Sequence, residues 1–346
     1  MPAPPGGAVV RWAILGTGVF AAKVAPILAK VPGCAIAAVA SRRRDRAAAF
    51  IQRHGLTGAI PCLDRDLEAL DIVDAVHIIV PNHEHVPWSL RLLQAQKHVL
   101  CEKPFTPFAA EARQVTDAAR RADRVFAEGF MYLHHPQTHR LIQLGRERDN
   151  PDNPIGPLRR VRAFYRSTNR DPASLATRLR HSMRGGSIMD LGCYCISFAR
   201  AVTGEEPAEV RASARRHFPW LPGLSVDRSA KFSMRFPSGV EFEGASAFDA
   251  PLEVFVELEG ERGRVRTGWP WSPPGDRAIL NFTRPDGRGT IEESIDHGGD
   301  RFANQYTRFA RTVRGEAVLW PDHEWTVAQA AAMERVLDAA GVRFGR

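Results

Sequence analysis

The chain is 346 residues long, with 44% apolar and 25% charged side chains, the balance of an ordinary globular protein, and that length favours two domains, each able to bury its own core. A formal charge of +8 would suit a polyanion, but the arginines alternate with acids (Arg42 to Arg46 with Asp45, Arg146-Glu147-Arg148-Asp149) and no zinc finger, RNP-like aromatic strand or basic heptad accompanies them, so nucleic acid is excluded as a partner. No apolar run approaches a membrane-spanning length, and Met1-Pro-Ala-Pro-Pro-Gly-Gly lacks a charged n-region ahead of an apolar one, so a soluble cytoplasmic protein with no membrane partner is expected.

In chain order, residues 1–8 read as a disordered lead-in. Short apolar runs then alternate with helical patterns: a buried strand at 9–15, a helix at 19–31 with apolar positions 20, 24, 27, 28 and 31, and a strand at 35–40. An Arg/Ala-rich helix runs to about His54. Further strands are expected at 75–80, 98–101 and 124–129, and helices at 83–96 and 107–121. Strand–helix alternation of this kind predicts a doubly wound parallel sheet over residues 9–129. After a helix at 134–146 and the Pro/Asn/Asp-rich stretch 149–157, longer strands follow without helices between them: 158–166, 207–215, 226–236, 239–248, 252–259, 262–269 and 278–283. Pro237-Ser238-Gly239 and Glu259-Gly260-Glu261 are turn signals between neighbours, so these strands pair mostly antiparallel. Helices near 187–202, 301–314 and 325–340 complete an α+β domain, residues 130–346, whose broad sheet face offers an oligomer surface.

Gly16-Thr17-Gly18-Val19-Phe20-Ala21 follows a strand and opens a helix. Gly16 permits a tight turn, Gly18 lets backbone approach a pyrophosphate, Ala21 allows close helix–strand packing, and the helix N-terminus supplies amide donors. The second strand ends at Ser41-Arg42 with no acid; an arginine there accommodates a 2′-phosphate, which favours NADP(H), with NAD(H) as the alternative. Arg43 or Arg44 reads as the solvated first turn of the next helix, and Arg46 joins Ser41 and Arg42 as a cofactor candidate.

Glu102-Lys103-Pro104 closes the strand at 98–101, and open sheets bind ligands beyond the carboxyl ends of their strands. The chain has only five lysines, at 23, 30, 97, 103 and 231. Lysine, unlike arginine, can share a proton, so Lys103 is either a catalytic ammonium or a strand-end lysine paired with Glu102. Gly185-Gly186-Ser187 opens a helix on which Asp190 and Tyr194, four apart, share a face. A phenol near a cation can exchange a proton with a carbonyl or alcohol; the competing reading is a core tyrosine and an aspartate at the helix dipole. Arg178, Arg180 and His181, just ahead of that helix, are candidates to reach a substrate. Trp269 and Trp271 read as packing or oligomer contacts. The five cysteines (34, 62, 101, 193, 195) form no CxxC pair, which points to reduced thiols, and neither Cys193-x-Cys195 nor His134, His135 and His181 makes a ligand set, so no metal is expected.

Together the motifs resemble the Gfo/Idh/MocA oxidoreductases (glucose–fructose oxidoreductase, inositol 2-dehydrogenase, rhizopine catabolism). The matching segments are Gly16-x-Gly18-x-x-Ala21, Pro81-Asn82-His83-Glu84-His85, Lys97 through Glu102-Lys103-Pro104, Glu128-Gly-Phe-Met-Tyr132, His135-Pro136 and Gly185-Gly186 through Asp190 to Tyr194. The resemblance implies an N-terminal Rossmann domain, an α+β C-terminal domain with a large, mostly antiparallel sheet, and no metal. It implies Lys103 as the catalytic lysine beside the nicotinamide and Asp190 as the substrate-binding aspartate. Tyr194 matches the tyrosine of the glucose–fructose oxidoreductase and dimeric dihydrodiol dehydrogenase branch. Cofactor contacts are then expected from Gly16, Gly18, Val19, Phe20, Ala21, Ser41, Arg42, Arg46, Val80, Pro81, Asn82, His85, Glu102 and Lys103, and substrate contacts from Glu128, Arg178, His181 and Asp190. The sequence departs from the family at Met131-Tyr132-Leu133, where many relatives read Met-Tyr-Arg, and at Arg184, where glycine is usual; no twin-arginine leader is present.

The implied activity is hydride transfer between NADP(H) and a carbinol or carbonyl carbon of a sugar, polyol or dihydrodiol. Tyr194 would move the proton, Lys103 hold the substrate oxygen and Asp190 fix a neighbouring hydroxyl. A homodimer or homotetramer through the C-terminal sheet is expected. The alternative is an NADP(H)-binding sensor whose chemistry has lapsed.

Overall fold

The computed structural model describes residues 9–168, 172–217, 225–284 and 289–345, so the expected lead-in at 1–8 lies outside the described residues. Contacts divide the chain into two compact units, one of residues Met1–His134 with Gly299–Val327, the other of His135–Gly298 with Ala328–Arg346.

The first unit is a six-stranded parallel sheet of β1 (Val10–Leu15), β2 (Cys34–Ser41), β3 (Ile60–Leu63), β4 (Ala75–Ile78), β5 (His98–Glu102) and β6 (Phe126–Gly129), in the order β3-β2-β1-β4-β5-β6. Helices α1 (Val19–Leu28), α2 (Arg44–His54), α3 (His85–Gln94) and α4 (Ala109–Ala122) make the crossovers. The central strands are apolar on both faces, as a sheet covered on both sides requires. Because β1 pairs with both β2 and β4, the strand order reverses beside the Gly16 turn, which is where a doubly wound sheet opens a crevice. The four-residue strand β3, with Pro61 inside it, had no sequence signal long enough to announce it. From the far end of the chain, α8 (Arg301–Val313) packs onto this sheet: Phe309 and Tyr306 lie 4.9 and 5.5 Å from the Trp12 ring, and Phe302 lies 5.7 Å from Phe20.

The second unit holds an eight-stranded sheet, formed by β7 (Leu158–Thr168), β8 (Glu209–Arg216), β9 (Asp227–Arg235), β10 (Glu241–Ala247), β11 (Asp249–Gly260), β12 (Arg264–Gly268), β13 (Arg277–Thr283) and β14 (Thr290–Asp296). The order is β14-β13-β12-β11-β7-β10-β9-β8, antiparallel throughout except for the parallel pair β7 and β10. The edge strand β14 was not expected from sequence: its run of Glu and Ser carries little apolar pattern, and Ile291 remains exposed. Helix α5 (Pro136–Arg146) and the short α6 (Pro172–Arg178) belong to this unit. So do α7 (Cys193–Thr203), buried along its whole length, and most of α9 (His323–Ala339).

Candidate active site

In the first unit, Gly16 has φ +119, and a Cβ there would stand 2.2 Å from the carbonyl oxygen of Ile79. Its amide donates to Ala40 O at 3.0 Å, while the Ile79 amide donates to Leu15 O at 2.9 Å, so the turn is fastened to both neighbouring strands. Gly18 is different. A Cβ there would meet nothing within 4 Å, and no side chain caps α1, whose first turn carries no acid. The protein needs glycine at 16 for its own packing; at 18 the space lies in front of uncapped amides that can receive an anion.

A cleft of about 400 Å³ opens at this turn, lined by Gly16, Thr17, Gly18, Ser41, Arg42, Arg43, Arg46, Asp64, Val80, Pro81, Glu84 and Trp88 among others. That is a common size for a small-molecule site. Arg43 is bound to Asp45, its carboxylate held down by that guanidinium, and Arg44 donates to Pro61 O at 3.2 Å. Among the expected cofactor residues, Val19 is exposed, Phe20 packs on Phe302 and Ala21 is buried against the sheet. Asn82 opens a 3-10 turn, Asn82–Glu84, at half-burial. Asp64, Glu84 and Trp88 were not singled out from sequence. Asp64 reaches the cleft only because Leu63 lies in register with Ser41, a neighbour relation that linear spacing does not carry.

The turn after β5 is fixed from three sides. His77, fully buried, lies with Nε2 3.1 Å from Glu102 Oε1 and Nδ1 2.8 Å from the Tyr306 hydroxyl. Burial first, and then the Glu102 charge, push the Tyr306 phenol well up, so it stays protonated, and the His77 ring bridges that hydroxyl to the Glu102 carboxylate. His85 is also buried, with Nδ1 3.0 Å from Pro104 O and Nε2 2.9 Å from Val80 O; burial pushes this imidazole down, and because both oxygens accept, the neutral ring donates to one of them and packs against the other. The third hold is Glu128, which accepts from the Phe105 amide at 2.9 Å. Lys103, half-buried, sits within a turn whose flanks are set by these buried side chains. Glu128, expected at the substrate, meets this turn at the Phe105 amide, and His85, expected at the cofactor, meets both this turn and Val80.

In the second unit, a π-turn over Ile188–Gly192 leads into α7, so Asp190 and Tyr194 belong to one continuous helical run that starts wider than the α-helix expected from sequence. Arg178 Nε lies 3.1 Å from Asp190 Oδ2, bringing these two expected substrate residues together. His181 is turned elsewhere: its Nε2 lies 2.7 Å from Arg343 O, and its ring packs on Phe344. The Tyr194 ring is 7% exposed and stacks on Trp271 at 5.4 Å, with Tyr165 at 5.8 Å. Trp271 is therefore a packing residue, whereas Trp269 is exposed. All five cysteines are free thiols, and among the described residues no three His, Cys, Asp or Glu side chains cluster as metal ligands. No described helix is long and apolar enough to cross a membrane.

Residues 10–130 match the model of an oxidoreductase family with an NAD-binding Rossmann fold, Gfo/Idh/MocA, and residues 152–266 match the Gfo/Idh/MocA C-terminal domain. The chain is 33% identical over 294 residues to the dTDP-3,4-didehydro-2,6-dideoxy-alpha-D-glucose 3-reductase of Streptomyces violaceoruber, covering 84% of this chain and 81% of the relative. It is 29% identical over 332 residues to D-xylose 1-dehydrogenase (NADP(+)) 2 of Haloferax volcanii, covering 96% and 97%. The solved structure of KijD10, a 3-ketoreductase from Actinomadura kijaniata in complex with NADP and TDP-benzene, matches with a TM-score of 0.86 at 26% identity, covering 96% of this chain and 98% of that one. With both domains matched in order and a relative above 30% identity over most of its length, the chain belongs to the Gfo/Idh/MocA family of oxidoreductases.

Proposed function

We propose that this protein is an NADP(H)-dependent oxidoreductase acting on a carbinol or carbonyl carbon of a sugar, polyol or dihydrodiol. The observation that carries the reading is the turn around Lys103, held by His77, His85 and Glu128 so that one of five lysines is pre-set at the carboxyl end of a parallel strand. The cofactor side rests on the cleft at Gly16 and Gly18. Ser41, Arg42 and Arg46 line it, and Arg43 is already engaged by Asp45, so Arg42 and Arg46 are the cations offered to a 2′-phosphate. The named relatives that reduce a dideoxysugar ketone or oxidise xylose with NADP(+) support the same class.

When bound, the nicotinamide supplies or accepts the hydride. Lys103 Nζ donates to the substrate oxygen and offsets charge developing there. On the second unit, the Tyr194 hydroxyl exchanges a proton with the substrate. Asp190, oriented by Arg178, accepts from a neighbouring hydroxyl. The test is a fluorescence titration with NADPH and NADH, followed by a panel of sugars, polyols and dihydrodiols read at the nicotinamide absorbance. NADPH should bind the more tightly, and Arg42→Ala should erase about tenfold or more of that preference. Tight NADPH binding with no turnover of any panel member would turn the reading toward a sensor.

The two glycines separate fold from ligand. Gly16→Ala is expected to cost about 3 kcal/mol in stability, since the left-handed φ and the Ile79 carbonyl both oppose a Cβ. Gly18→Ala should leave the melting temperature unchanged while weakening NADPH by about tenfold; equal loss of stability in both variants would contradict the assignment of Gly18 to the pyrophosphate.

A second copy of the chain fits the open face of the large sheet. Across it Arg235, Glu241, Arg160, Glu259 and Arg264 lie in register, and beside them Glu243, Arg162, Glu257 and Arg266. Glu257 is only 5% exposed, between Arg162 at 3.1 Å and Arg266 at 3.6 Å. A face whose charge changes sign from strand to strand opposes unlike charges when a two-fold axis runs between two strands. Light scattering should give a dimer or tetramer at low salt; a monomer at every concentration would rule this out. The free thiols suit a cytoplasmic location, which cell fractionation would check.

A further inference from the structure

We infer that Asp227 is a positioning residue, which sets the pose of Asp190 and Tyr194 by capping, from a neighbouring strand, the helix that carries both. The inference rests on the roles proposed above for those two side chains. Asp227 opens β9 and is fully buried. Its Oδ2 accepts from the Ile188 amide at 2.7 Å and from the Ser187 hydroxyl at 2.6 Å, and that hydroxyl also meets Ser246 Oγ, on β10, at 3.0 Å. The π-turn has no cap from its own Ncap side chain, and a strand carboxylate instead satisfies one orphan donor of the helix start, the Ile188 amide.

No ion pair to Asp227 is seen among the described residues. Burial pushes the carboxyl up, and the Ser187 hydroxyl and then the Ile188 amide pull it back. The glycine pair of the motif now has a structural reason. A Cβ on Gly186, at φ +113, would stand 2.3 Å from Asp227 Oδ1, and one on Gly185 would stand 2.2 Å from Arg178 O. The missing side chains let the strand carboxylate onto the helix start and bring the Arg178 segment close. Arg178 in turn reaches Asp190. A π-turn rotates each residue less than an α-turn does, so the angle between Asp190 and Tyr194 depends on where that start is fixed.

The test compares Asp227→Ala, Asp227→Asn and Ser187→Ala in the full chain. Amide hydrogen exchange over residues 187–192 needs no substrate, and kcat is measured on whichever panel compound turns over fastest. Asp227→Ala should speed that exchange about tenfold or more and lower kcat by about 10²-fold, with NADPH affinity unchanged. Asp227→Asn, whose amide oxygen still accepts from Ile188, should recover most of both. Unchanged exchange and kcat in the folded Ala variant would overturn the inference, as would equal losses in Ala and Asn. Where the Ala variant does not fold, Ser187→Ala decides: faster exchange with a several-fold lower kcat supports the cap, and wild-type behaviour overturns it. Full activity in Tyr194→Phe would instead remove the underlying reading, whatever Asp227 does.

Discussion

Lys103→Met is expected to lower turnover by about 10³-fold while leaving NADPH affinity within about threefold of the native value. Methionine keeps the unbranched stem and removes the ammonium. The turn itself should survive, because three hydrogen bonds that the substitution leaves in place hold it: Glu102 with His77, the Pro104 carbonyl with His85 and the Phe105 amide with Glu128. The cleft that would hold the dinucleotide phosphates is lined by the Gly16 turn and the end of β2, not by Lys103. A loss confined to kcat therefore reports on charge at the reacting oxygen. Stopped-flow turnover and a fluorescence titration on the same preparation separate the two quantities. Native turnover in this variant would remove Lys103 from the chemistry.

Tyr194→Phe should lower kcat by about 10²- to 10³-fold, with little change in melting temperature. The ring packs into the fold, stacked on Trp271 and flanked by Tyr165, and phenylalanine retains those contacts. Only the hydroxyl is lost, so a change in rate without a change in stability would assign the proton to it. A collapse in stability with the remaining folded fraction fully active would return Tyr194 to the core. Thermal denaturation beside steady-state kinetics makes the distinction.

The outcomes at particular residues show how far linear pattern reaches. Period and punctuation located β1, β2, β4, β5 and β6, since each is an apolar run bounded by helical pattern, and the glycine turn at 16 to 18 followed from its place between strand and helix. The same logic located seven strands of the second sheet. It missed β3 and β14, one too short and interrupted by Pro61, the other too polar for an alternating pattern. The helix at 187–202 was legible as a helix but not as a π-turn running into α7, because a single widened turn leaves no periodic trace.

What depends on distance along the chain was out of reach. His77 and Tyr306 are 229 positions apart, yet they form one hydrogen-bonded chain with Glu102. Asp64 enters the cleft by strand register, Trp271 meets Tyr194 by packing, and Asp227 meets Ile188 across 39 residues. The amino-acid order alone determined the kind of fold and the glycine turn after β1, and it supplied the side chains proposed here to handle the proton, because these are written in local propensity and in residue chemistry. Tertiary structure alone decided which buried partners hold those side chains still, and that residues Gly299–Val327 join the first unit. Burial and pairing are properties of neighbours in space, which no local window of sequence contains.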